Sequence, residues 1–144
     1  MTLNVLVDTD VILDVLLDRG PHNGPSKEVM ALLAQGRFRG HITATIVVNV
    51  FYHVRKNLGV ETAFQCIRDL LGTKEVEIHP VDLAVLKNAL DFPMTDFEDA
   101  VQAAVADSQG IDYIVTRNLK DYKNSKVPAL SPSQLLERLN ERKK

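Results

Sequence analysis

Apolar residues along this chain fall into two kinds of pattern, short continuous runs and stripes at helical spacing, and the two alternate. Leu3 to Val7 is a short apolar run with two valines, too continuous for a half-exposed strand. It fits a strand buried on both faces of a parallel sheet and ended by Asp8. From Val11 the period changes: Val11, Leu13, Val15, Leu16 and Leu17 suit a short packed helix, which Asp8 or Asp10 can cap. Arg19 to Pro25 is dense in turn formers and predicts a loop. Ser26 then caps a helix carrying Val29, Leu32 and Leu33, with Gly36 placed to end it in a left-handed conformation. Arg37 to Ile42 reads as a short strand. Thr43 or Thr45 opens a helix whose apolar side is Ile46, Val47, Val50, Phe51 and Val54 and which stops near Gly59.

Val60 to Leu71 is a further helix, with Ala63, Phe64, Ile67, Leu70 and Leu71 facing inward. Val76 to Val81 is a strand that Pro80 makes peripheral, and Asp82 caps a helix reaching Leu90. After a break at Asp91 to Thr95, an acidic start at Asp96 leads a helix as far as Gly110. Its apolar stripe is Phe97, Ala100, Val101 and Ala104. Tyr113 to Val115 is another buried strand, and Pro132 to Asn140 a last helix. Strands alternating with helices predict an α/β fold, a three-layer α/β/α sandwich with a central, mainly parallel sheet.

At 144 residues the chain suits one domain, 1–144, long enough to bury about 68–70% of its unfolded surface. A net charge of -2 carries no global signal for nucleic acid, so any such contact has to come from local patches. The single cysteine, Cys66, excludes an internal disulfide, lies in a helical apolar pattern that suits the core, and agrees with a reducing compartment. No run approaches the roughly 18 apolar residues of a membrane span, and the start of the chain has no secretory pattern. A cytoplasmic protein is expected.

The chemistry these residues suggest is acidic. Asp8 stands at the carboxyl end of a buried strand, where open α/β sheets place their ligands. Asp96 can cap its helix and Glu98 and Asp99 can serve the helix dipole, yet the apolar stripe leaves Glu98 and Asp99 off the core face. Helix starts and strand carboxyl ends share one edge of a parallel sheet, so Asp8, Asp99 and the loop from Thr116 to Asp121 can converge. Carboxylates gathered in this way repel one another unless a cation sits among them, and oxygen ligands suit Mg²⁺ or Mn²⁺. Asp14 reads as a solvated helix residue. No Cys/His set has zinc spacing, and His22, His41, His53 and His79, scattered in sequence, read as surface or core residues.

Three stretches together resemble the PIN-domain family: Val7 to Asp14, Asp96 to Gln102, and Asp112 to Tyr122, the last containing Thr116-Arg117-Asn118-x-x-Asp121-Tyr122. The resemblance runs from Leu3 to about Leu136. It implies an α/β/α sandwich and a metal-dependent ribonuclease, with bacterial toxins of toxin-antitoxin pairs as the most numerous members. Residue by residue, it implies Asp8, Asp99 and Asp121 as metal ligands, Asn118 paired with Asp121, and Thr116 at the family's small hydroxyl position. The family commonly has a glutamate on the helix after the second strand, where this chain has Asn49. Glu98, Asp96 or Asp10 would have to supply the missing charge.

The expected activity is hydrolysis of RNA phosphodiesters, with Arg117 and Lys120 beside the site to meet the RNA backbone, and Lys123, Lys126, Arg55 and Lys56 as further cations. Expected partners are RNA, a cognate antitoxin protein and a second copy of the chain in a homodimer. A rival reading is a non-catalytic PIN-like RNA- or protein-binding module, suggested by Asn49. A second rival is a phosphohydrolase with Asp8 as nucleophile, since Asp8-Thr9-Asp10 resembles the haloacid dehalogenase motif. The glycine and threonine that motif requires after Asp10 are absent.

Overall fold

The computed structural model describes residues 2–21 and 23–142. His22, read above as a surface or core residue, lies outside them. Within the described residues five strands, β1 (Asn4–Val7), β2 (Arg39–Thr43), β3 (Val76–His79), β4 (Tyr113–Val115) and β5 (Ala129–Leu130), form one sheet in the order β3-β2-β1-β4-β5. Every adjacent pair is parallel. Among the described residues seven α-helices accompany them: α1 (Thr9–Leu16), α2 (Asn23–Ala34), α3 (Ala44–Leu58), α4 (Val60–Leu71), α5 (Leu83–Leu90), α6 (Phe97–Ser108) and α7 (Pro132–Arg142). The chain leaves central β1 toward β2 and β3, then returns to lay β4 and β5 on the other side. The change of direction falls between β1 and β4, and open parallel sheets bind ligands at that point, beyond the carboxyl ends of the strands.

Both faces of the sheet are covered, which is why β1 and β4 are apolar without alternation. On one face Gly40 of β2 leaves room for Leu33 of α2; a Cβ at Gly40 would stand 2.8 Å from Leu33 Cδ1. On the other face Thr43 Oγ1 donates to Gln102 Oε1 of α6 at 2.6 Å. α6 is buried continuously from Ala100 to Ala106, and its four alanines in that span allow close approach to α5 and the sheet. Thr43, Asp82 and Asp96 cap α3, α5 and α6, and Gly36, Gly59 and Gly110 take the positive φ that ends the helices before them.

Several expectations are corrected. Ser26 is not a cap: α2 starts at Asn23, and Ser26 is buried within it, donating to Asp14 Oδ2 at 2.9 Å. Asp14 is not solvated but fully buried. On α4 only Ala63 is buried, while Phe64 and Leu71 are 50% and 56% exposed and Cys66 is half-buried. Phe97 is also exposed. Amphipathic spacing identifies a face without saying whether another element covers it. β5 and a short 3-10 turn at Leu119–Tyr122 had no pattern to announce them. Among the described residues no helix is long and apolar enough to cross a membrane.

The Thr43 hydroxyl does two jobs, since it also accepts the Ile46 N–H at 3.1 Å. Thr43→Val keeps the shape, removes the cap and leaves Gln102 Oε1 without this donor. The expected cost is about 2 kcal/mol in urea unfolding; an unchanged midpoint would show that the bond adds nothing.

Candidate active site

β1 ends where Asp8 takes extended backbone, and its Oδ1 accepts the Thr9 N–H at 2.9 Å, so the residue that starts α1 also projects a carboxylate beyond the sheet. β4 ends beside it, with the Asp8 N–H bonded to Val115 O at 3.0 Å. Thr116, next in the chain, donates its hydroxyl to Asp8 Oδ2 at 2.9 Å, and Asp10 Oδ2 lies 3.4 Å from the same hydroxyl. Asp10 Oδ2 also accepts the Arg117 N–H at 2.9 Å. The loop after β4 is thus tied to the first turn of α1.

α6 brings the third acid. Asp96 Oδ1 accepts the Asp99 N–H at 2.9 Å, fixing the first turn so that Asp99 reaches the sheet edge. Tyr122, from the 3-10 turn, lies between the acids: its phenol is 3.3 Å from Asp8 Oδ2 and 3.3 Å from Asp99 Oδ1. Asn49 of α3 donates through Nδ2 to Glu98 Oε1. These residues surround a cleft of about 370 Å³ whose lining includes Asp8, Asp10, Asn49, Glu98, Asp99 and Asn118 together with Arg19, His53 and Arg117.

Of the residues singled out from sequence, Asp8, Asp99, Thr116, Asn118, Asn49 and Glu98 come together here. Asp96 supports the group as the α6 cap. Asp121 is exposed on the 3-10 turn and is not among the cleft-lining residues, although its charge reaches Asp99. Lys120 is exposed and outside the lining as well. Arg117 lines the cleft, but its guanidinium is held by Asp14, with Nε 2.8 Å from Oδ2 and Nη2 3.1 Å from Oδ1. Arg19 joins the same carboxylate at 3.1 Å. Tyr122 was given no role from the sequence, Asp14 was read as a solvated helix residue, and Asp10 entered only as a candidate cap and a reserve acid. A signal existed for two of them: Asp10 and Asp14 are four apart on α1 and so share a face.

Crowding of acids in a partly buried cleft shows in their titration. Burial, and then the charge of Asp10, pushes the Asp8 carboxyl up to about 7. Burial, then Asp96, pushes Asp99 up to about 6. Asp10 is also raised, chiefly by burial. Burial and the neighbouring carboxylates raise Tyr122, so the phenol stays protonated and acts as a donor. Asp10 Oδ1 and Thr9 Oγ1 are buried without a hydrogen-bond partner. An oxygen-only donor set with an unpartnered buried carboxylate oxygen fits a hard divalent cation.

These shifts fix a sign. An unfolded Asp titrates near 3.9, about, so raised carboxyls favour the folded chain when protonated. That contribution is full below about pH 4 and is lost as pH rises through about 6 and about 7. In EDTA, stability is expected to fall between pH 5 and 8, and Asp8→Asn to flatten the fall. Urea midpoints across that range check it; equal slopes for both proteins would refute the assignment.

The family model described as PIN domain matches residues 4–120. This chain belongs to the PIN-domain family. The PIN domain here is similar to "Ribonuclease VapC1" of Aquifex aeolicus (strain VF5), with 24% identity over 141 residues that cover 94% of this chain and 95% of that protein. Among solved structures it is similar to a DNA-bound VapBC from Salmonella typhimurium (TM-score 0.67, 17% identity, 91% of this chain and 99% of that one). It is also similar to FitAcB from Neisseria gonorrhoeae (TM-score 0.67, 18% identity, 90% and 98%). At these identities the solved structures establish the shared sandwich, and the cleft of this PIN domain lies at its β1/β4 edge.

Proposed function

We propose that this PIN domain is a metal-dependent endoribonuclease that hydrolyses RNA phosphodiester bonds, and that it is the toxin of a toxin-antitoxin pair. The observation that carries the reading is the meeting of Asp8 and Asp99 at one phenol, with the unpartnered Asp10 Oδ1 beside them. Asp8, Asp99 and Asp10 would hold Mg²⁺ or Mn²⁺, with Asp121 and Asn118 completing the site or positioning water. When bound, the ion supplies Lewis acidity, lowering the pKa of a water and offsetting charge on the phosphate.

The chain's own residues do the rest. Thr116 and Tyr122 donate to the acids and fix which carboxylate oxygens face the cleft. Asp96 holds Asp99 in place through the α6 cap. Glu98, bonded to Asn49, presents a carboxylate from α6 near the position where the family resemblance implied one on α3. That arrangement supports a charged cleft in spite of Asn49, the residue on which the binding-module reading rests. Arg19 and Arg117, two guanidiniums sharing the one Asp14 carboxylate, line the cleft and leave positive charge there for a phosphate backbone, with Lys120 on the nearby turn.

The nearest test is cleavage of a fluorescent, quenched RNA by tag-free protein. Activity is expected in Mg²⁺ or Mn²⁺ and lost in EDTA; EDTA-resistant cleavage would refute metal dependence, and none in either ion would favour the binding module. A solved toxin-antitoxin complex from Klebsiella pneumoniae, similar in fold (TM-score 0.64, 18% identity), supports the toxin part of the proposal. Expression alone is then expected to arrest growth in the cytoplasm, and coexpression of an antitoxin protein to relieve it. A homodimer belongs to the same proposal, with sedimentation as its check.

A further inference from the structure

A second cluster of ligating side chains lies on the sheet, outside the acidic cleft. The register of β2 against β3 pairs His41 with Glu77 and Thr43 with His79, so that His41, Glu77 and His79 project from one face. His41 and His79 are each 5% exposed, with rings stacked at a centroid distance of 5.1 Å. His41 Nδ1 is 2.8 Å from His79 Nε2, and Glu77 Oε2 is 3.4 Å from the first nitrogen and 3.8 Å from the second. None of the three lines the acidic cleft.

We propose that His41, Glu77 and His79 form a second metal site, for a borderline divalent ion such as Zn²⁺, which fastens the edge strand β3 to β2. Tautomer chemistry supports this. His41 Nε2 is 2.8 Å from Asn4 Oδ1, an acceptor, so this nitrogen carries the proton. In a neutral ring Nδ1 then presents a lone pair, and it points at His79 Nε2 and at the Glu77 carboxylate. In this tautomer His79 Nε2 donates to His41 Nδ1; with the His79 proton moved to its own Nδ1, as metal binding requires, three Lewis-basic atoms share one small volume, all within 4.8 Å of one another.

The distances suit an ion. Two ligands on a tetrahedral ion with bonds of about 2.05 Å stand roughly 3.3 Å apart. Glu77 is already near that separation, and the two imidazoles need part by only about 0.5 Å. The Asn4 carbonyl is the outer hydrogen bond that orients metal-bound imidazoles and sets their tautomer. Two imidazoles and one carboxylate are softer than the all-oxygen cleft, so the two sites differ in the ion they select. One coordination position is left for water. Sequence spacing hid the cluster because His41 and His79 lie 38 residues apart and only strand register joins them.

The experiment is titration of tag-free full-length protein with Zn²⁺ by calorimetry, in excess Mg²⁺. It uses an Asp8→Asn, Asp99→Asn background, which removes two of the three carboxylates proposed to hold the cleft's ion, while excess Mg²⁺ competes for what remains, so the result is independent of the nuclease reading. One equivalent is expected to bind and to raise the melting temperature, with Co²⁺ giving the intense visible absorption of a four-coordinate site. His79→Ala is expected to weaken Zn²⁺ by more than about 100-fold, and Asn4→Ala by about 10–100-fold. Glu77→Gln, half-exposed and safe for folding, should also weaken it measurably. Failure to bind one equivalent, or binding that His79→Ala and Glu77→Gln leave unchanged, would overturn the site and leave a proton-sharing histidine pair.

Discussion

Asp8→Asn protein is expected to cleave RNA roughly 10²–10³-fold more slowly than the parent while unfolding at the same or a higher temperature. The two halves of that result have different causes. Asp8 is the carboxylate on which β1, the Thr116 hydroxyl and the Tyr122 phenol converge, so losing its charge removes the centre of the cleft's negative potential. The same charge is a burden to the fold, because burial and Asp10 push its carboxyl up to about 7. A neutral amide of equal size removes that burden at pH 8. Asp99→Asn is expected to behave alike, with a smaller gain in stability because Asp99 is raised less, to about 6. Single-turnover cleavage and thermal melts on one preparation decide the matter. Parental cleavage by both variants would end the assignment, and joint loss of cleavage and stability would reduce both acids to structural roles.

The second large effect is structural. Asp14→Ala is expected to destabilise the chain by about 3 kcal/mol, since truncating one partner of a buried ion pair leaves the others uncompensated. At roughly 3 °C per kcal/mol for a chain of this size, the melting temperature should drop by about 10 °C. Asp14 has a fully buried side chain and serves Arg117, Arg19 and Ser26, which come from the β4 loop, the end of α1 and α2. Its removal therefore loosens three elements at once. Arg117 loses the contact that holds its side chain, and its N–H is the one that fixes Asp10, so cleavage should weaken as well. A melting temperature within about 2 °C of the parent, under 1 kcal/mol on the same scale, would show that solvent replaces the pair.

What the sequence revealed was local, and what it concealed was long-range. Caps and stops depend on a few adjacent residues, so Thr43, Asp82, Asp96, Gly36 and Gly59 were readable, and so was the apolar run that becomes β1. Asp8, Asp99 and Thr116 were placed at one edge by the rule that parallel strands and helix starts share it. Asp14 was misread because Arg117, one of the two arginines that neutralise it, lies 103 residues away, and the other, Arg19, read only as part of a turn. β5 has two residues, too few for any period to register. Asp121 carried the family's motif, yet its place on a 3-10 turn leaves it at the rim, influencing Asp99 by charge. Tyr122, the residue that bridges the acids, looked like an ordinary aromatic end to the motif.

The pairing of β1 with β4 has a consequence for the order of synthesis. Val5 lies against Tyr113 and Val7 against Val115, so β1 is synthesised more than 100 residues before this partner strand. Until Tyr122 has emerged from the exit tunnel, Asp8 lacks its phenol and Asp10 lacks the Arg117 amide. A nascent chain therefore holds no assembled cleft until the segment through Tyr122 is free to fold.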